Sequence, residues 1–211
     1  MATRVFIVDD HELMRQGLRS VLDHHGGFKI SGEAGSFKEF VSLFRKSATQ
    51  VLVLDISLPD RNGLEILKYV RDNHPSTRVL VLSMHPEERF AIRALRSGAM
   101  GYLNKQAAAQ ELVAAIERVK SGEIYVSREV TGELIRELEG KRAKTPHDEL
   151  KDTEFEVLRM IASGKTAKQI GKEMGLSMNT ITTYRSRILE KLKLKTTADL
   201  VRYAMDHHLV D

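Results

Sequence analysis

Two adjacent acids, Asp9 and Asp10, end the first apolar run of this chain, RVFIVDDH at 4–11. Later apolar runs also finish in residues able to do chemistry: Asp55 after VLVL, Ser83 after RVLVL and Lys105 after GYLN. Three carboxylates brought to one place repel one another unless a cation lies among them. Hard oxygen ligands in an open, hydrated site suit magnesium better than a transition metal. An ion held by Asp10, Asp55 and Asp9 leaves coordination positions for phosphoryl oxygens. Lys105 could then neutralise a further phosphoryl oxygen, Ser83 could donate a hydrogen bond to it, and Asp55 could attack phosphorus to give an acyl phosphate. Taken singly, each residue has a plainer reading: Asp10 as the cap of a following helix, Ser83 and Lys105 as ordinary loop residues. The set, at the ends of four of the five runs of one pattern, favours the pocket.

That pattern is an alternation of short β-rich runs (5–8, 28–31, 51–55, 78–83 and 101–105) with stretches of helical apolar spacing such as LEILKYV (64–70) and ELVAAIERV (111–119). It predicts an α/β fold, a doubly wound five-stranded parallel sheet, over residues 1–125. Ligands of such sheets bind outside the carboxyl ends of the strands, which is where Asp9, Asp10, Asp55, Ser83 and Lys105 fall. Ser36 with Glu39 spells a capping box, and Pro86 suits the first turn of the fourth helix.

After Gly122 strand signals stop. Residues 127–138 read as a helix and 140–149 as a polar linker, so that 126–147 connects two domains. Residues 148–211 read as a small all-α domain of four helices, at about 152–163, 166–174, 178–194 and 197–207, with a capping box at Thr166 and Gln169. Within it, 163–195 carries eight bases against two acids, a local excess that suits a polyanion such as double-stranded DNA.

The stretch 166–192 has helix-turn-helix spacing: Gly171, turn Gly175 four residues later, and Ile181 six after that. With Ile181 facing inward, Tyr184, Ile188 and Leu192 follow it, while Thr182, Thr183, Ser186, Arg187 and Glu190 face out. An outward polar face is usually just solvated; here the flanking bases favour a major groove. Thr182, Thr183, Ser186 and Arg187 are then the candidates for base edges, and Lys165, Lys168, Arg185 and Lys191 for phosphates.

With these residues assembled, 1–122 resembles the receiver domain of two-component response regulators, through VDDH (8–11), DISLPDRNG (55–63, including Pro59 and Gly63), LVLSM (80–84) and GYLNK (101–105). The resemblance implies a flavodoxin-like fold with Asp55 as phosphoacceptor. It also implies magnesium on Asp9, Asp10, Asp55 and the backbone carbonyl of Ser57, Lys105 on the phosphate, and Ser83 and Tyr102 as the hydroxyl and aromatic that switch together. Gln106 departs from the pattern, standing where many receivers have proline.

Residues 150–211 resemble the LuxR-type DNA-binding domain through 154–181 and LEKL (189–192). Lys151 stands in place of a capping threonine, a role Asp152 could assume; Thr182 replaces a common lysine and Tyr184 a common histidine. The resemblance makes Leu200, Val201 and Ala204 of the last helix candidate dimer contacts, with internal packing the alternative.

The expectation is a phosphorylation-controlled transcription factor, served by a sensor histidine kinase, homodimeric when active, and not an enzyme beyond its own phosphoryl uptake and loss. A phosphatase of the haloacid-dehalogenase type is the enzyme alternative, disfavoured because Ser57 stands where that class has a second Asp. A receiver-like domain working without phosphate is the other. No apolar run approaches the roughly 20 residues that span a bilayer, no secretory leader opens the sequence, and cysteine is absent, so a cytoplasmic protein is expected.

Overall fold

The structure, a computed structural model, describes residues 2–45, 47–58, 63–84, 87–107, 109–139, 145–207 and 209–210. Pro59, Pro86 and the linker stretch 140–144 lie outside the described residues, and so do the expectations placed on them. The chain divides into two compact units, Met1–Gly140 and Lys141–Asp211.

In the first unit the apolar runs form five parallel strands, β1 (Thr3–Val8), β2 (Phe28–Ala34), β3 (Val51–Leu54), β4 (Arg78–Ser83) and β5 (Gly101–Asn104), in the order β2-β1-β3-β4-β5. Between them run α1 (Glu12–His25), α2 (Phe37–Phe44), α3 (Gly63–Asn73) and α4 (Glu87–Arg96), and α5 (Ala109–Ser121) follows β5. Helices on both faces bury β3 completely, which is why its sequence is a continuous apolar run rather than an alternation. One face packs Val5, Ile7, Val53, Leu80 and Leu103 against Ile116 and Val119 of α5 and Leu22 of α1. On the other, Phe6 meets Phe40 and Phe44 of α2 edge to face, at centroid distances of 5.8 and 5.2 Å.

Ser36 caps α2, its hydroxyl accepting the Glu39 N–H, while the Glu39 carboxylate reaches one residue further back than expected, to Gly35 N–H at 2.7 Å. At the start of α1 the plainer alternative for Asp10, a helix cap, does not hold: Asp9 takes that place, accepting the N–H of the N-cap residue His11 at 2.9 Å.

The sheet also extends beyond its last predicted strand. Tyr125 bridges Gly101 in parallel, accepting Tyr102 N–H at 2.9 Å and donating its own N–H to Met100 at 3.0 Å. A single bridge has no period, so the sequence pattern carried no signal for it. The chain then enters α6 (Arg128–Leu138), which packs on α4 and is pinned at its start by Ser127 N–H donating to Glu87 at 2.6 Å.

The second unit opens with a 3₁₀ turn, Pro146–Glu149, inside the stretch read as linker. It continues through α7 (Asp152–Ala162), α8 (Ala167–Glu173), α9 (Met178–Lys191) and α10 (Thr197–Asp206). Its core gathers Phe155, Leu158, Ile170, Ile181, Ile188, Leu192, Leu200 and Ala204. Asp152 does not take over the cap of α7. It lies within the first turn, and Glu154 reaches back to the Lys151 N–H at 2.8 Å, because a carboxylate three residues on can take that donor and a lysine side chain cannot accept one.

A second correction concerns the candidate dimer contacts. Leu200 and Ala204 are fully buried where α10 packs on α7, leaving Val201 half-buried. Their apolar surface is consumed inside the unit, so the internal-packing alternative holds for both. Leu200→Ala is therefore expected to destabilise this unit by about 2–5 kcal/mol in denaturant unfolding. An unfolding curve indistinguishable from that of the parent would mean that Leu200 is a surface residue after all.

Candidate functional site

Backbone register delivers the acidic residues to one place. Asp55 N–H donates to the Val8 carbonyl at 2.8 Å and Asp9 N–H to the Ala34 carbonyl at 3.1 Å, so the two acids leave the carboxyl ends of neighbouring strands. Lys105, just past β5, donates its N–H to the Ser83 carbonyl at 2.9 Å. The side chains then converge: Lys105 Nζ lies 2.6 Å from Asp9 Oδ2 and 2.6 Å from Asp55 Oδ2. Asp9 is 1% exposed and Asp55 3%, so one ammonium bridges two buried carboxylates.

The remaining carboxylate oxygens are held as well. Ser57 N–H donates to Asp55 Oδ1 at 3.0 Å, and Asp9 Oδ1 takes the His11 N–H. Behind Asp55, Gly63 N–H donates to the Ile56 carbonyl at 2.8 Å. A Cβ at Gly63 would stand 2.6 Å from the Asp55 carbonyl oxygen, so only glycine lets α3 start against this loop. Burial pushes the Asp55 carboxyl above its ordinary range; the hydrogen bond from Lys105 opposes that shift without cancelling it, and Asp9 adds to it. Burial alone would lower Lys105, yet its hydrogen bonds to Asp55 and Asp9 outweigh burial and raise it, so it stays a cation at neutral pH.

Asp10 lies at the mouth, more exposed, 2.7 Å from His11 Nδ1. Ligand atoms of Asp9, Asp10, His11 and Asp55 all fall within 4.8 Å of one another. Three carboxylates at that spacing fit a hard divalent cation. His11 belongs to this group although the sequence reading gave it no role; its place directly after two acids was the available signal. Ser83 is fully buried at the end of β4, paired with Asn104, and Tyr102 is fully buried on β5, paired with Val81. Where many receivers have proline, Gln106 has an N–H, and Asn104 Oδ1 accepts it at 2.8 Å. The peptides of the described residues are trans there as elsewhere, and Lys105 reaches both acids.

In the second unit, α8 and α9 form the helix-turn-helix. Thr166 caps α8 in a reciprocal box with Gln169, and Ser177 caps α9 by accepting Thr180 N–H at 3.1 Å. The turn between them uses Gly175 at φ 64°, in the left-handed region. A Cβ on Gly171 would come within 2.6 Å of the Leu176 carbonyl oxygen, which is the close approach behind the small residue in the motif. Ile181, Ile188 and Leu192 are buried and Tyr184 half-buried; Thr182, Thr183, Ser186 and Arg187 are exposed, as are Lys168 and Arg185.

Two of the predicted phosphate contacts have internal partners. Lys165 pairs with Glu173, and Lys191 Nζ lies 2.6 Å from Glu154 Oε2, a carboxylate whose side chain is 3% exposed. The sequence reading missed this pair because 37 residues separate its members. It also began the outer face of α9 at Thr182, one turn after exposed Met178 and Asn179, which helical spacing places on the same side.

A parallel sheet ending in an acidic, lysine-bridged pocket, followed by a helix-turn-helix unit, defines the response regulators of transcription. Residues 5–117 match the response regulator receiver domain and residues 148–204 the luxR family of bacterial regulatory proteins. The chain belongs to the response regulators with a LuxR-type DNA-binding domain, a family of regulators rather than conventional enzymes.

It is 32% identical over 206 residues to response regulator UvrY of Escherichia coli (strain K12), covering 97% of this chain and 94% of that protein. Response regulator GacA of Pseudomonas protegens is 33% identical over 208 residues, covering 99% of this chain and 98% of its own. Among solved structures, RcsB from Salmonella enterica serovar Typhimurium, bound to promoter rprA in the presence of phosphomimetic BeF3-, superposes with TM-score 0.68 at 25% identity, covering 96% of this chain and 98% of that one. Two RcsB dimers bound to two parallel DNAs give TM-score 0.60 at 25% identity, covering 97% and 98%.

The pair of buried Glu154 with half-buried Lys191 makes a test in pH. Burial would raise Glu154, but the hydrogen bonds from Lys191 and from Lys151 N–H outweigh it and hold the carboxyl below its ordinary value. A depressed folded value contributes stability that is present above the unfolded value and lost as pH falls through the folded one. Lys191→Met takes the cation from a buried carboxylate, leaving it only the Lys151 N–H, and is expected to cost about 2 kcal/mol at neutral pH, with the gap to the parent closing in acid as Glu154 protonates in both. Chemical unfolding between neutral pH and pH ~3 reads this out, and a gap constant with pH would remove the ion pair as its cause.

Proposed function

We propose that Asp55 accepts a phosphoryl group from a sensor histidine kinase and that this controls transcription through the LuxR-type domain. The bond from phosphorus to the donor histidine nitrogen breaks as the bond from an Asp55 oxygen to phosphorus forms. The nitrogen keeps the electron pair, and the product is an acyl phosphate. The observation carrying this reading is the single ammonium of Lys105 set between two buried carboxylates, an arrangement stable in itself yet able to exchange one carboxylate for a phosphoryl oxygen. Beyond this uptake, and the hydrolysis that passes the phosphoryl group to water and restores the Asp55 carboxylate, the protein catalyses nothing.

Asp9, Asp10, Asp55 and the Ser57 carbonyl are the residues that would hold magnesium. When bound, the ion offsets the negative charge of the acids and the phosphoryl oxygens together. In the phosphorylated state Lys105 keeps Asp9 and moves its second hydrogen bond to phosphate, and Ser83 donates its hydroxyl hydrogen to another phosphoryl oxygen. Tyr102 follows Ser83. The Tyr102 N–H already donates to Tyr125, so a shift of this residue bears directly on the segment leading into α6.

In this reading residues 1–125 receive the signal, 126–147 transmit it and 148–211 bind duplex DNA. RcsB is described as dimers on DNA; a homodimer of the active form is proposed here too, through surfaces other than Leu200 and Ala204. Turning a mostly inactive population into a mostly active one takes about 5.5 kcal/mol, several times the roughly 1 kcal/mol of one new hydrogen bond. A dimer interface supplies the difference. The site of action is the cytoplasm, where the DNA is; among the described residues no helix is long and apolar enough to cross a membrane.

Incubated with a small phosphodonor and magnesium, the parent protein is expected to take up label that Asp55→Asn does not. Labelling that persists in the variant moves the acceptor elsewhere. On the DNA side, Arg187→Ala is expected to cost about 1–3 kcal/mol of binding and to relax preference at one base pair. Equal weakening on all duplexes, measured by competition binding, would make Arg187 a phosphate contact instead.

A further inference from the structure

The exposed hydroxyl residues of α9 do not present their donors outward. Thr182 Oγ1 donates to the Met178 carbonyl at 3.0 Å, Thr183 Oγ1 to the Asn179 carbonyl at 3.0 Å, and Ser186 Oγ to the Thr182 carbonyl at 3.1 Å. Each hydroxyl hydrogen is used one turn back on its own helix, a habit of Ser and Thr in helix interiors. At a threonine, folding Oγ1 against the backbone leaves the Cγ2 methyl as the outward branch of a tetrahedral Cβ. One turn before Thr182 stands Met178, 56% exposed, on the side of the helix shared by positions four apart. At about 100° per residue, Thr182, Thr183, Ser186 and Asn179 lie on the half opposite buried Ile188, with Met178 at its edge, one turn before Thr182. The N-terminal half of this face therefore offers two methyls and a thioether chain beside one polar group, the Asn179 carboxamide, where a base-reading helix more often offers several hydrogen-bond donors.

The basic side chains around it are exposed: Lys168, Lys172, Arg185 and Arg187. They draw a polyanion to a face where the Thr182 and Thr183 methyls flank the carboxamide of Asn179. In the major groove the one apolar group that distinguishes base pairs is the C5-methyl of thymine, and a helix enters that groove with its N-terminal residues against the base edges. Met and Thr methyls contacting it discriminate thymine without a single hydrogen bond, and an unbranched thioether adapts to the position of its partner.

We infer that the first half of α9 reads thymine C5-methyl groups through Met178, Thr182 and Thr183, leaving Arg187 to read guanine. This rests on the DNA-binding reading above and specifies its ligand: duplexes with thymines at fixed positions on the side of the site facing the start of α9. The consequence for the residue that replaces a common lysine is direct. Thr182 does not merely lack a charge; it substitutes methyl readout for a donor.

The test uses the full-length protein with magnesium and beryllofluoride. A random duplex library is first put through repeated selection. In the selected duplex each preferred thymidine is then replaced, one at a time, by deoxyuridine, which removes the methyl and keeps base pairing. Loss of one buried methyl is expected to weaken binding roughly fourfold at the two or three thymines facing α9. Met178→Ala is expected to abolish the thymine-over-uracil difference at one of these positions. Thr182→Ser, which keeps the hydroxyl bonded to Met178 and removes only the methyl, is expected to abolish it at another. Equal binding of thymine and uracil duplexes at every position overturns the inference, and because that arm uses the unaltered protein it does not depend on how the variants fold. Retention of the full difference by both variants overturns it as well, by moving methyl readout to other residues. A library that yields no enriched duplex at all sinks the DNA-reading function itself, and the inference with it.

Discussion

Two carboxylates buried side by side are the constraint on which the first unit depends. Neither Asp9 nor Asp55 can be left unpaired at that depth without a cost of several kcal/mol, and their mutual repulsion adds to it. The structure meets the cost with one lysine. The strand order β2-β1-β3-β4-β5 makes β1 and β3 neighbours, so the two acids arise one strand spacing apart, close to 5 Å. Lys105 arises two strands beyond β3, a gap of about 10 Å that a long flexible side chain can help to close. The strand between them, β4, ends in Ser83, a residue small enough to let a side chain pass. Order, strand length and residue size are thus one solution to one electrostatic problem, and the same solution leaves a cationic group where a phosphoryl oxygen would need one.

The second unit solves a different problem, that of holding a short helix rigidly while leaving its outer face uncovered. Small helices are marginal by themselves, and α8 has only seven residues. Caps at Thr166 and Ser177 satisfy the exposed amides, and Gly171 lets the backbone turn close against the helix. The Glu154–Lys191 pair ties the start of α7 to the end of α9. The recognition helix is therefore fixed at its first turn by a cap and at its last by the ion pair of half-buried Lys191 with buried Glu154, with Ile181 and Ile188 anchoring it between. A lysine serving that purpose is spent on the fold, which is why a tally of local positive charge overstates how many cations this unit has to offer a phosphate backbone.

Much of this was legible in the sequence, for a physical reason. Buried parallel strands are continuous apolar runs, and a residue with chemistry at the end of such a run lies at the carboxyl edge of the sheet. VFIVDD and VLVLD therefore carry both the fold and the pocket in a few residues. Thr166 with Gln169 is equally local, since a capping box is defined by four consecutive positions. What the sequence hid depends on distance along the chain or on a competition between neighbours. Lys191 and Glu154 are too far apart to be paired by pattern, and Tyr125 joins the sheet by one bridge. Asp9 and Asp10 both had the chemistry to hold the start of α1, and backbone geometry gave the amide to Asp9. The face of α10 was ambiguous because an apolar stripe fits a dimer and a core equally well; only packing against α7 distinguishes them.

The threonines of α9 show the same limit at the scale of a single side chain. Their spacing identifies an exposed face, but residue type alone leaves open whether hydroxyl or methyl points away from the helix. The backbone decides it. A carbonyl one turn back is always within reach inside a helix, whereas a base edge is present only in the complex, so the internal hydrogen bond forms before DNA arrives and must be broken for the hydroxyl hydrogen to be redirected. Breaking it would recover about 1 kcal/mol at best from the new hydrogen bond, after losing a comparable amount from the old one. Contact through the methyl needs no such exchange. The preference for methyl readout is thus set by the helix itself, before any partner is considered.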